Sequence, residues 1–249
     1  RVAGKLLLKL TENGKTVSEN SYDLLMMKKE GLTAEVLSNK KIVVLDRNRA
    51  LSAALSFLRI HYTSVVSVTD LLHQKADVYI LSGLDSVNTN AAETTQIKTL
   101  LGAGNKVLIS GCGDFVHMLY PEYIRSIVKE DGEVANMEVP ESSVFNGLEP
   151  LDIRNFNNNQ REMPSVMAGA FRINRNSNLV QLASFTKVHG YLPGDVNARM
   201  NRLDKIKGFP IVKITNGGKV ILSQMRLDKT LTDPVAGKLL INMLTDLAQ

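Results

Sequence analysis

The chain opens on period-two alternation. Residues 5–10 and 16–27 are apolar-rich runs on either side of Glu12-Asn-Gly-Lys15. Asn-Gly between two such runs is the strongest short hairpin signal, because both residues tolerate the positive φ of a tight turn. The pattern predicts a two-stranded ribbon over residues 1–27, read as the tail of a β-sandwich, since such a ribbon is marginal alone. Residues 28–40 are polar and read as a linker.

From residue 41 the pattern changes. Short apolar runs at 42–45, 64–68, 78–81 and 107–109, bounded by turn residues, suit strands buried on both faces. Helical spacing lies between them. Asn48 opens a predicted helix to about Ile60 that carries Leu51, Leu55 and Leu58, and a second runs from Asn90 or Ala91 to Leu101, closed by Gly102. This order predicts an α/β fold, a doubly wound and mainly parallel sheet over residues 41–249, preceded by the ribbon.

Further along, Pro121 breaks a helical pattern, which predicts two short helices there. Residues 133–139, 170–173 and 179–185 read as strands, and 155–160 as a polar loop. Residues 186–207 are long, polar and rich in Gly, Asn and Arg, yet carry Val188, Tyr191, Leu192, Met200 and Leu203. They are expected to form a loop that contacts other domains. Asn216-Gly-Gly218 predicts a second hairpin between 210–215 and 219–224. Finally, Asp233 and Pro234 open a helix whose Val235, Leu239, Leu240, Met243, Leu244 and Leu247 form one stripe, expected to cover the sheet.

Composition narrows the function classes. The 249 residues and 44% hydrophobic content allow a full core without disulfides, and the single cysteine excludes an internal one. The net charge of +5 is spread along the chain, aromatics are few and Trp is absent, so no nucleic-acid surface with a stacking platform is visible. No apolar run reaches membrane-spanning length. The chain starts at Arg1 without Met, and is expected to belong to something longer.

Candidate chemistry centres on Lys106–Phe115, a buried strand running through Gly111-Cys112-Gly113 into a helix expected to be capped by Asp114. Open α/β sheets place ligands at this end of their strands. A cysteine at a helix amino terminus can be activated there, but needs a histidine base oriented by a carboxylate. The four histidines, His61, His73, His117 and His189, lie far apart and show no metal-ligand spacing. His189, with Tyr191, is the better candidate for substrate or interface contact. Ser82-Gly83 and Gly111–Gly113 match neither the dinucleotide nor the Walker pattern, so no cofactor and no metal is expected.

Two resemblances attach to these residues. The layout and its hub are similar to the class I glutamine amidotransferase-like, flavodoxin-like fold, whose nucleophile turn reads Gly-x-Cys-x-Gly. Ser110 and Asp114 occupy the outer glycine positions here, and Gly190-Tyr191 follows His189 where that family has His-x-Glu. Catalytic use of Cys112 is therefore disfavoured. Gly14, Ser18, Glu19, Asn20, Tyr22 and Leu24 resemble the closing strands of an immunoglobulin-like domain in glycoside hydrolase family 2. Residues 217–224, 233–236 and 239–244 resemble the end of an amidotransferase-like domain found at the carboxyl end of some large members.

The resemblance implies a β-galactosidase-like parent that hydrolyses β-glycosides with two carboxylates on a separate barrel. No Asn-Glu dipeptide, which that family's acid/base residue would require, occurs here. It thus implies a non-catalytic accessory domain in carbohydrate metabolism, in a periplasmic or secreted protein. The parent's other domains are the expected partners, with carbohydrate or a second copy of the chain as further candidates. A cysteine hydrolase using Cys112 and a carbohydrate-binding module are the alternatives.

Overall fold

The computed structural model describes residues 2–26, 32, 34–132, 134–155, 165–189 and 204–249. The chain divides into two compact units, Arg1–Leu32 and Thr33–Gln249.

The first unit is an antiparallel ribbon of β1 (Val2–Glu12) and β2 (Lys15–Met26). Asn13 and Gly14 make the turn with φ of 50° and 75°. Leu6 pairs with Tyr22 and Lys9 with Glu19, so alternation sets Leu6, Leu8, Leu10 and Tyr22 on one face. All four are exposed. The other face mixes Lys5, Leu7 and Val17 with the Lys9–Glu19 ion pair at 3.0 Å.

The second unit starts with β3 (Ile42–Asp46), α1 (Ala50–Phe57), β4 (Thr63–Val65), α2 (Val68–Leu72), β5 (Val78–Ser82), α3 (Ala91–Gly102) and β6 (Lys106–Ser110). There follow α4 (Phe115–Leu119), β7 (Ile124–Val128), β8 (Asn136–Met137), α5 (Asp152–Asn155), β9 (Ala170–Ile173), β10 (Leu179–His189), β11 (Asp204–Ile214) and β12 (Lys219–Ser223). The last helix is α6 (Pro234–Ala248). The sheet order is β4-β3-β5-β6-β12-β11-β10-β8, with β9 bonded to β11 and β7 to β9. The first five strands are parallel and the rest join antiparallel. The unit is α/β and doubly wound around this parallel core. Its order turns back at β3, which lies between β4 and β5. The two ends of the ordered row, β4 and β8, are three and two residues long.

Both faces of the core are covered. Val43, Leu45, Tyr79, Leu81, Val107, Ile109, Val220 and Leu222 pack with residues of α2, α3 and α4. The alternate residues, including Val44, Ile80, Leu108 and Ile221, face α1 and α6. Asp233 caps α6 by accepting from the Val235 amide at 2.8 Å, and Pro234 occupies the first turn. The stripe residues are all buried, yet the helix is buried almost all round, at 12 of its 15 residues. It lies between the sheet and the 3-10 turn Ser143–Phe145. Its polar side chains are therefore paired. Asn242 donates to the Val144 and Asn146 carbonyls at 3.1 and 2.8 Å. Asp246 meets Lys213 at 2.9 and 2.7 Å and accepts from Ser143. Burial works to raise the Asp246 pKa, but these hydrogen bonds and the charges of Lys213 and Lys219 hold it below the ordinary value.

Several expectations need correction. Residues 186–207 are not a loop throughout, because β10 and β11 continue to the His189–Asp204 pair. Interleaved lysines at 187, 205 and 207 hide the alternation of Thr186, Val188 and Ile206. Residues 190–203 lie outside the described residues. After Pro121 the chain enters β7 rather than a second helix. Within the predicted strand 133–139, only Asn136–Met137 forms a named strand. Helix α1 ends at Phe57 instead of Ile60, and α2 begins inside the run predicted as strand 64–68. Ser67 decides that boundary by accepting from the Asp70 amide at 3.0 Å.

Leu240→Ala and Leu244→Ala should each destabilise the unit by about 2–5 kcal/mol, the range for leaving a cavity at a fully buried leucine. Denaturant melts with an unchanged slope check this. Losses within about 0.5 kcal/mol would place these residues at a tolerant surface.

Candidate functional site at the carboxyl edge of the sheet

Four neighbouring parallel strands end in the same way. Val43-Val-Leu-Asp46, Tyr79-Ile-Leu-Ser82, Val107-Leu-Ile-Ser110 and Val220-Ile-Leu-Ser223 are three buried residues followed by a small polar one. Asp46 registers with Ser82, Ser82 with Ser110, and Ser110 with Ser223. The result is a polar row across the carboxyl edge, on the face shared with α1 and α6. The ladder continues one step further: the Arg47 amide donates to the Ser82 carbonyl at 3.1 Å, and the Gly111 amide to Ser223 at 3.0 Å.

The loops above the row are pinned locally. Asp85 accepts from the Val87 and Asn88 amides at 2.8 and 2.7 Å. Arg47 reaches across to the Asn88 carbonyl at 2.8 Å and Glu93 at 2.6 Å. Gly83 has φ of 65°, and a Cβ there would lie 2.9 Å from the Asn48 side chain, so this crossing requires glycine.

The hub turn places Cys112 away from solvent. The positive φ values fall on Gly111 and Gly113, and Cys112 itself turns into the core beside Leu81, Ile109 and Phe115. It is 1% exposed. Its thiol donates to the Ser110 carbonyl at 3.4 Å and to Leu81 at 3.7 Å. Burial pushes its pKa from 9.0 up to about 12. The Leu84 and Gly83 backbone groups act against it, but burial, joined by the charges of Asp46 and Asp85, prevails. The following helix is only five residues long, and Asp114 makes no side-chain capping bond. Instead Asp114 pairs with Lys129. Burial and the nearby carboxylates thus keep the thiol protonated at neutral pH.

A base is also missing among the described residues. His117 bonds the Ile124 carbonyl through Nδ1 at 2.6 Å. His73 caps the end of α2, and His61 is exposed on the α1–β4 connection. His189 ends β10, three strands from β6, or about 14 Å at ordinary strand spacing. The His189 side chain and Tyr191 lie outside the described residues. On one side β6 adjoins β12, whose end continues Gln224-Met-Arg-Leu-Asp228 without a histidine. Arg226 there pairs with Asp131 at 3.2 Å. Among the described residues no group of three or more His, Cys, Asp and Glu could hold a metal ion.

No protein-family model matches this chain, and no curated protein matches it. Solved structures do resemble it. One, described as a GMP synthase subunit from Thermoplasma acidophilum, is 13% identical with a TM-score of 0.51, covering 84% of this chain and 94% of that one. Another, a ThuA-like protein from Bacteroides uniformis, is 10% identical with a TM-score of 0.54, covering 83% and 90%. The fold is glutamine amidotransferase-like. Identities this low establish the fold alone, and neither description mentions a glycoside hydrolase. In this amidotransferase-like frame Cys112 sits at the expected strand-to-helix turn, but with its sulfur directed into the core.

The sequence reading missed the polar row. Its signal was present in four apolar tetrads, each closed by Asp or Ser, and becomes visible once the tetrads are aligned.

Cys112 should resist alkylation by iodoacetamide near neutral pH in the folded chain and react at once in denaturant. The folded thiol binds its proton more tightly than the unfolded one. Its contribution to stability is therefore full below about pH 9 and is lost as the pH rises towards 12. Tyr120, raised from 10.0 by burial and then by Glu122 and Tyr123, acts in the same direction above pH 10. Urea melts between pH 8 and pH 11 should show a falling stability, and Cys112→Ala should reduce the early part of the fall.

Proposed function

We propose that the α/β unit is a non-catalytic, amidotransferase-like accessory module of a larger enzyme, serving packing and cleft shaping. The observation that carries this reading is the state of Cys112: buried, protonated, and without a histidine beside it among the described residues. A thiol nucleophile needs exposure, a depressed pKa and a base within hydrogen-bond reach, and Cys112 has none of these in the described structure.

For the parent enzyme we infer a β-glycosidase. The support is the family 2 likeness of residues 9–24 and of the segments between 217 and 244. The exposed apolar face of the ribbon is compatible with it, since a two-stranded sheet of this kind is ordinarily half of something larger. The solved neighbours favour a second reading, an amidotransferase-like cysteine hydrolase. Its difficulty is chemical, because Cys112 would have to leave the core before it could attack anything.

Replacing Cys112 by Ala in the parent enzyme should leave glycoside turnover nearly unchanged. The isolated chain should release no ammonia from glutamine and take up no glutamine-analogue electrophile at Cys112. Glutamine hydrolysis that falls by about a hundredfold or more on this substitution, the scale for losing a catalytic group, would establish the hydrolase instead.

A further inference from the structure

A cleft of about 500 Å³ opens where β3 and β4 end and α1 begins, away from the hub turn. Its size is within the range of small-molecule sites. It lies beside the point where the strand order reverses, the general location of ligands in open α/β sheets. Leu45, Ala53, Val65 and Val66 give it apolar walls, and Val66 is 86% exposed at the rim.

Its polar groups are only partly used. Asp46 Oδ2 accepts from the Ser52 amide and hydroxyl at 2.7 and 2.9 Å, which secures the first turn of α1. Asp46 Oδ1 is buried and has no hydrogen-bond partner. Ser56 and Tyr62 hydroxyls meet at 3.0 Å, and Tyr62 donates to the Ser52 carbonyl at 3.2 Å. This leaves Ser56 and Tyr62 oxygens as further acceptors. Arg47 is committed to Glu93. Arg49 and Ser64 are exposed, and neither side chain has a partner among the described residues. Among the described residues, the cleft therefore offers one uncommitted guanidinium and, at Ser56 and Tyr62, acceptors for hydroxyl donors.

We propose that this cleft binds a small polyol carrying one anionic group, either a sugar acid or a sugar phosphate. The anion would pair with Arg49, whose planar fork suits carboxylate and phosphate alike. The ligand's hydroxyl groups would donate to the Ser56–Tyr62 pair. Cys112 takes no part in this binding, so the cleft would hold its ligand whether or not the unit is an accessory module.

The test is titration of the isotope-labelled chain with gluconate and, separately, with glucose phosphate, followed by amide chemical shifts. Saturable shifts confined to residues 46–66, with a Kd of about 1 mM or tighter, are expected for at least one of them. The tighter ligand identifies the anionic group. Neutral glucose and inorganic phosphate should each bind at least about tenfold more weakly, since each lacks half of the recognition. Arg49→Gln should weaken binding about tenfold at an unchanged melting temperature, and Ser64→Ala should weaken it less. Absence of saturable shifts with both ligands overturns the proposal, as does equal binding by wild type and Arg49→Gln.

Discussion

A parallel sheet has no solvent face, and that requirement organises the α/β unit. Val43, Val44, Ile80, Leu81, Val107 and Leu108 are all buried in successive strands, so each strand needs cover above and below. The crossover helices α2 and α3, together with α4, supply one side. The other side has only α1 until the chain returns through β12 and lays α6 across it. The late helix therefore completes a core whose strands were laid down much earlier in sequence. Its deep placement also explains why Asn242 and Asp246 are paired within the protein, since a buried polar group left unmatched costs more than its bond returns.

The same cover determines what Cys112 can do. The elbow position can expose a side chain only if the backbone of that residue carries it upward. Here the flanking glycines absorb the unusual dihedrals and the thiol fills space between β5, β6 and α4. Packing and nucleophilicity make opposite demands on one sulfur: contact and a bound proton on one side, exposure and a lost proton on the other. In this chain packing prevails.

Much of the architecture was legible because the signals were local. The runs at 42–45, 78–81 and 107–109, Asn90 with its capping box to Glu93, and Asp233-Pro234 each define an element through neighbours in sequence. Where the reading failed, interleaved lysines in the sequence or a tertiary partner intervened. Lys187, Lys205 and Lys207 obscure the ends of β10 and β11, and β7 is stabilised by β9, far away in sequence. The site was harder still. That Asp46, Ser82, Ser110 and Ser223 form one row depends on sheet order and register, neither of which a single strand reveals. The burial of Cys112 depends on both flanking glycines, and not Cys112 itself, taking the positive φ, and the three residues of the Gly-Cys-Gly turn do not determine that by themselves.

The row of strands ends in β4 on one side and β8 on the other, with three and two residues respectively. Each presents too few backbone groups for another chain to extend the sheet by pairing. Growth by strand addition, the route to domain swapping and fibrils, is thereby blunted at both ends of this ordered row. Contacts made at these two ends then fall to side chains, where specificity can be selected one residue at a time.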